Sequence, residues 1–412
     1  MHEETEPGSP PTDVRVALER HVRSVHEFFG DAEPNPAELD AALARALATT
    51  RDSDELRELI RAGRLSEVTG VRPLNLELDI VNKCNFRCVM CMMSHPAQQE
   101  QQLQRMPLER FEKLADEVFW HVHALSLTYG AEPLLHPEFA RFLAIAQRYR
   151  IPRVHAVTNG SLLTEEIAHA LVEHETHSIV VSLDAANPVT YQRIRLGGNW
   201  STLIENLERL QRIKRQLGRV KPLLELAFVM MRSNIMELPA FVELGKQLGV
   251  DAIYAIHMVP FAPLQIDQET CANIKETTNS MLRTARATAV RLGVNFTSPP
   301  EFGIPPAGGA TGEGTRRFGL PVSTATSQAG LCPFPWHFAA IDMRGDVIPC
   351  GWWQGGAPMG NIYRESFASI WRNPAYERLR AQHRTRSLSP VCLRCPAAGV
   401  GSTDDPAAFV AR

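Results

Sequence analysis

Nowhere in the 412 residues does an apolar run approach the ~18 positions that a membrane span needs. Neither sign of charge dominates, with 43 Lys and Arg against 46 Asp and Glu and a net charge of -3. The first absence argues against a membrane protein and the second against a nucleic-acid partner, which would need a basic face. The one locally Arg-rich stretch, Arg364 to Arg386, reads as a solvated helix face. Residues 1–12 (MHEETEPGSPPT) are acidic and Pro-rich and lack the apolar centre of a secretion signal, so the expected compartment is the cytoplasm. There is no internal repeat beyond a β-α alternation and no low-complexity tract. Cysteine is also scarce, 8 residues in all, but it is grouped: Cys84, Cys88 and Cys91, then Cys271 alone, then Cys332, Cys350, Cys392 and Cys395. Grouped cysteines in a reducing compartment point to metal binding rather than disulfides.

Residues 13–63 predict three short helices: one capped by Asp13, one opened by Asn35-Pro36, and one starting at Ser53 and stopping at Gly63. Six short apolar runs follow, LNLELDI, ALSLT, VHAV, IVVSL, LELAFVM and AIYAIHM, each trailed by an amphipathic segment. Six β-α units in succession imply a parallel sheet clothed in helices, either a partial barrel or an open doubly wound sheet. In both, ligands sit beyond the C-terminal ends of the strands. Residues 298–330 break the pattern, because Gly and Pro fill 12 of the 33 positions, and read as a linker or lid. Beyond them, WHFAAIDMRGDVIPC alternates as a hairpin and SFASIWRNPAYERLRAQH is helical. The expected divisions are a tail plus helical extension (1–73), a core (74–297), the linker (298–330) and a small cysteine-bearing module (331–412).

Cys84-x3-Cys88-x2-Cys91 lies directly after the first predicted strand. Three thiolates on one loop can hold three irons of a [4Fe-4S] cluster and leave the fourth iron open to a small molecule. The competing reading is zinc, completed by His95, although zinc motifs more often pair two C-x2-C units. A C-x3-C-x2-C loop after strand one of a six-unit β-α sheet resembles the signature of the radical S-adenosylmethionine (SAM) enzymes. That resemblance, over roughly residues 74–395, implies an α/β fold: a partial (β/α)6 barrel with an N-terminal helical extension and a small C-terminal α+β module. It implies that SAM chelates the open iron and is cleaved to a 5'-deoxyadenosyl radical, with the electron supplied by an external donor such as a flavodoxin or ferredoxin. Tyr129-Gly130-Ala131-Glu132-Pro133 resembles the family's G-G-E-P segment, with Ala131 in place of its second glycine. Gly130, Glu132, Asn159, Ser182 and Asp184, with Arg193 or Arg195 facing the SAM carboxylate, are the implied SAM contacts.

Cys332, Cys350, Cys392 and Cys395 make a full set of four, suited by number either to a closed [4Fe-4S] cluster or to structural zinc. The segments CPFPWHFAAIDMRGDVIPC, GNIYRESFASIWRNP and CLRC resemble the twitch module, a short form of the SPASM module of some radical SAM enzymes, and this implies one auxiliary cluster. With no open iron, such a cluster suits electron transfer. The expected activity is therefore oxidation of a hydroxyl-bearing carbon, as in the family's aminoglycoside and aminocyclitol dehydrogenases, on a small sugar or aminocyclitol substrate of antibiotic biosynthesis. Candidate proton acceptors are His257, Arg232, Glu225 and His337. Cys271 offers a rival reading: a thiol in the cavity would return a hydrogen atom and give epimerisation, whereas its alternative is a small buried core residue. A third reading is peptide modification, which twitch and SPASM proteins also perform; residues 13–63 lack the strands expected of a leader-binding module.

Overall fold

The computed structural model describes residues 12–29, 36–50, 54–56, 59, 74–303, 332, 334–351, 353 and 356–393. Most of the expected third helix, most of the Gly/Pro-rich linker, and Cys395 lie outside the described residues. The first two helices run Thr12–Phe29 and Pro36–Thr49. They bury Val14, Leu18 and Ala46 with Leu56 and Leu59 in a small core of their own, and Val25 reaches the main core.

All six expected strands form: β1 Leu74–Leu78, β2 Val122–Ser126, β3 Arg153–Thr158, β4 Ser178–Ser182, β5 Leu223–Met230 and β6 Ala252–His257. They pair in parallel in chain order, and β7, Phe296–Thr297, adds a short seventh parallel neighbour beside β6. The helices between them follow their apolar spacing. Leu108–Val118, for instance, buries Leu108, Phe111, Leu114, Ala115 and Val118 on one stripe. Three of them start at side-chain caps, Thr164, Asn187 (followed by Pro188) and Asn199, each accepting an N–H of the first turn.

The C-terminal hairpin does not stand apart from this sheet. Its first strand, β8 (Phe338–Ile341), pairs in parallel with β1 and in antiparallel fashion with β9 (Asp346–Ile348), which is followed by β10 (Gly360–Asn361). The result is one open ten-stranded sheet, β10-β9-β8-β1-β2-β3-β4-β5-β6-β7. Sequence periodicity could not reveal this, since the partner of β8 lies some 260 residues earlier in the chain. The Arg-rich stretch is not solvated throughout: Arg380 is fully buried, with its guanidinium against the rings of Trp371 (4.8 Å) and Tyr376 (5.0 Å).

Strand register sorts the side chains into two faces. Leu76, Leu125, Ile179, Leu226 and Ile253 point to the helices; Glu77, Ser126, His155, Ser178, Glu225 and Tyr254 share the opposite face. That face is polar yet buried, and its titration is shifted accordingly. Burial lowers the His155 pKa from 6.5 to about 4, helped by the charges of His177 and Arg153. A depressed histidine binds its proton more readily when unfolded, so this stabilisation is complete above pH 6.5 and is lost as pH falls through 4. Replacing His155 with Gln should flatten the acid side of the stability profile, removing up to roughly 3 kcal/mol of pH-dependent loss. Urea unfolding of both proteins at several pH values between 7 and about 4 checks this; parallel profiles would refute it.

Candidate active site

The three cysteines of the first group occupy the loop that leaves β1, and that loop is fastened to the ends of three other strands. Glu132 N–H, after β2, donates to the Lys83 carbonyl at 2.9 Å. Asn85, between the cysteines, bonds Asn159 (2.8 Å) and Ser161 (2.9 Å) after β3. Arg87 and Val89 N–H donate to the carbonyls of Leu196 (2.8 Å) and Ile194 (3.0 Å) after β4. Gly197, at φ +97, lets the chain approach so closely that an added Cβ would stand 3.3 Å from the Asn85 carbonyl.

Each sulfur in this loop receives a donor. The backbone N–H of Phe86 points to Cys84 and that of Met93 to Cys91, both at 3.4 Å. Arg195 Nη1 lies 3.5 Å from the Cys88 sulfur, and Asn159 Nδ2 lies 3.8 Å from that of Cys84. Burial by itself pushes all three thiols up, Cys84 to about 12. Such thiols ionise only when a cation holds them, and a bound iron does so outright. Buried sulfurs furnished with N–H donors fit a [4Fe-4S] group, whose potential is set by such bonds. Among the described residues no three His, Cys, Asp or Glu side chains meet at one metal-ion position. Val89 and Met90 of the loop pack against Ile194, Met231 and Met258, an apolar collar that keeps water away.

The SAM-contact candidates separate by position. Arg195 is buried at the thiolates and paired with Asp184 Oδ2, whereas Arg193 is exposed and bonds the Ser233 carbonyl at 3.0 Å. Burial opposes the charge on Arg195, but Asp184 and Cys88 outweigh it and raise its pKa, so the guanidinium stays protonated. Its Nε is buried without a partner, a free donor beside the cysteines that suits a carboxylate. Asp184 is fully buried at φ +61, held by Val229 N–H on Oδ1 (2.7 Å) and by Asn234 Nδ2 on its carbonyl (3.0 Å). Ser182 is half-buried at the end of β4.

Glu132 is 2 % exposed and accepts from Thr158 Oγ1 (2.7 Å), Leu134 N–H (3.1 Å) and Asn159 N–H (2.8 Å). Burial raises it to about 7 against those donors. Asn159 is thereby tied to both Glu132 and Cys84. Gly130 is exposed, and its N–H, with those of Tyr129 and Ala131, converges on Asp79 Oδ1 at 2.8, 2.8 and 3.2 Å. Asp79, which burial lifts to about 6, shapes the loop that presents Glu132. Sequence reasoning missed it, although an Asp at a strand's end just before the cysteine motif was a readable signal.

Three of the proton-acceptor candidates occupy different surroundings. Glu225 sits near the start of β5, away from the strand ends that carry the cysteines. His257 shares the helix-facing side with Ile253 and Ala255 and packs on Phe302 at 4.9 Å, with burial lowering it to about 4. Arg232 is exposed, its backbone N–H bonded to the Glu269 carbonyl at 2.7 Å. Cys271 is 2 % exposed among the residues of the main apolar core, and burial raises its thiol to about 11.

The second group converges as well. Cys332, Cys350 and Cys392 line one apolar pocket together with Phe334, Trp353 and His383. The helix Pro374–Arg384 that forms one wall is locked by Arg380, which donates from Nε to the Pro335 carbonyl (3.0 Å) and from Nη1 to that of Trp371 (2.8 Å). Three thiols lining one apolar pocket fit an auxiliary cluster, with Cys395 the remaining cysteine of the group.

A parallel sheet bearing a three-cysteine loop at the end of its first strand, with Glu132 and Arg195 beside the thiols, is the arrangement that the resemblance to radical SAM enzymes implied. The Radical SAM superfamily model matches residues 78–218, and the iron-sulfur cluster-binding SPASM domain model matches residues 332–396, so the chain carries both domains, with [4Fe-4S] clusters and SAM as its cofactors. It is 28% identical over 198 residues to the tungsten-containing aldehyde ferredoxin oxidoreductase cofactor-modifying protein of Pyrococcus furiosus (47% of this chain, 53% of that one). With the AdoMet-dependent heme synthase of Methanosarcina barkeri it shares 24% over 353 residues (81% and 94%). With a probable GTP 3',8-cyclase of Methanococcus maripaludis it shares 25% over 190 residues (46% and 60%). The chain thus spans only 53% and 60% of the length of the Pyrococcus protein and the cyclase. In fold it is similar to SAM-bound SuiB of Streptococcus suis, at TM-score 0.61 and 14% identity over 95% of this chain and 88% of that one. No described helix is long and apolar enough to cross a membrane.

Proposed function

We propose that this radical SAM enzyme oxidises a hydroxyl-bearing carbon of a small sugar or aminocyclitol to a ketone, with the auxiliary cluster as acceptor of the second electron. The supporting observation is the convergence of Cys332, Cys350 and Cys392 on one cavity, with Cys395 as the remaining thiolate. A cluster with all irons held by thiolates has no position for substrate and is left with electron transfer.

Cys84, Cys88 and Cys91 would hold the cluster that binds SAM, and this pair, when bound, supplies a 5'-deoxyadenosyl radical. The chain's own part is positional. Arg195, kept charged by Asp184, offers Nε to the SAM carboxylate; Glu132 offers a carboxylate to its amino group; Met231 and Met258 exclude water. The substrate gives up one hydrogen atom from carbon, one proton from the hydroxyl and one further electron.

Placement of Cys271 in the core favours oxidation over epimerisation. The broad match to a heme synthase favours a small molecule over a leader peptide. Anaerobic turnover followed by mass spectrometry tests the reading. The expected product lacks two hydrogens, 5'-deoxyadenosine forms in equal amount, and Cys271→Ala turns over as the parent does. A product of unchanged mass carrying solvent hydrogen, with turnover lost in Cys271→Ala, would replace oxidation by epimerisation.

A further inference from the structure

Among the described residues that line the auxiliary cavity, His383 is the one titratable side chain besides the cysteines. His383 is 4 % exposed, lines the cavity, and places Nε2 at 3.4 Å from the Cys392 sulfur. Its ring makes an edge contact with that of Trp336, centroids 6.3 Å apart, and its helix is pinned one turn earlier by Arg380. A thiolate has no proton to give, so a neutral imidazole facing one carries its single N–H on Nε2.

We infer that His383 donates its Nε2–H to the Cys392 thiolate and thereby raises the reduction potential of the auxiliary cluster. The sign follows from charge. Reduction adds an electron to the cluster, and a hydrogen bond to a ligand sulfur stabilises the more negative state more than the oxidised one. This rests on the proposed role of that cluster as electron acceptor and says which residue makes it a better one. His383 acts through Cys392 and is a positioning residue.

The test uses the full chain carrying Cys84→Ala, Cys88→Ala and Cys91→Ala, where the auxiliary cluster is the remaining iron centre, and follows its midpoint by EPR-monitored titration. Added to that background, His383→Phe should lower the midpoint by roughly tenfold in the electron-acceptance equilibrium, about 59 mV for one electron. His383→Gln, which keeps an N–H donor, should recover most of the shift, with equal iron in all three proteins. An unchanged midpoint in His383→Phe at equal iron overturns the inference and leaves the acceptor reading standing. A second readout leaves the chain's histidines in place: with 15N-histidine, pulsed EPR should show one weakly coupled ring nitrogen. No coupling, or the strong coupling of a directly bound nitrogen, also overturns it. Zinc without iron in the triple variant removes the acceptor reading itself.

Discussion

Replacing Cys84, Cys88 and Cys91 together with Ala should abolish reductive cleavage of SAM and remove half the iron of the reconstituted protein, from about eight per chain to about four. The loop offers no substitute ligands. The backbone around Cys84 and Cys88 is tied to the ends of β2, β3 and β4, Cys91 N–H bonds the Cys88 carbonyl at 3.0 Å, and His95 is engaged through Nδ1 with the N–H of Ala97 at 3.3 Å. The retained iron should carry the EPR signal of the SPASM-domain cluster, since Cys332, Cys350 and Cys392 lie in a separate cavity walled by Phe334 and Trp353. Iron and sulfide analysis after anaerobic reconstitution checks the count, and 5'-deoxyadenosine formation under dithionite checks the chemistry. A triple variant that still cleaved SAM, or that kept all its iron, would disprove the assignment of the loop.

Arg195→Met should destabilise the protein by about 3–5 kcal/mol, the cost of leaving a buried charge without its partner. Asp184 has no exposed surface, and the guanidinium of Arg195 is its one charged contact among the described ion pairs. Removing Asp184 as well, in the double variant Arg195→Met with Asp184→Leu, should recover a large part of the loss, because the second change removes the stranded carboxylate. Arg195→Lys keeps the charge but loses the fork that spans Asp184 and Cys88, and belongs between the two. Urea unfolding of the four proteins under anaerobic conditions decides this. A loss below about 1 kcal/mol for Arg195→Met would mean that the pair is solvated and contributes little.

Much of the fold was legible because local physics and tertiary placement agree. The six apolar runs became six parallel strands, since their helix-facing positions, such as Leu76, Leu125, Ile179, Leu226 and Ile253, are apolar, while the alternate positions carry polar groups to the other face. Spacing alone put Cys84, Cys88 and Cys91 on one loop, and four cysteines in the C-terminal region already implied a second metal group. The linear chain also fixed which residues could be candidates, by placing Glu132, Asn159 and Asp184 just after strand ends.

Tertiary structure alone selected among them. Arg193 and Arg195 are indistinguishable as neighbours in sequence, but the turn that ends the helix Pro188–Ile194 buries one against Asp184 and Cys88 and leaves the other in water. His257 ends β6 and Cys271 follows it, yet one packs on Phe302 and the other enters the apolar core. The addition of β8 beside β1, the convergence of three backbone N–H groups on Asp79, and the approach of His383 to Cys392 join residues far apart in the chain or across a turn. Local periodicity is set by interactions within a few residues, so composition and spacing could determine strands, helices and the kind of metal group. Which buried polar atoms face each other depends on strand register and loop closure over the whole sheet, and only the folded chain decides that.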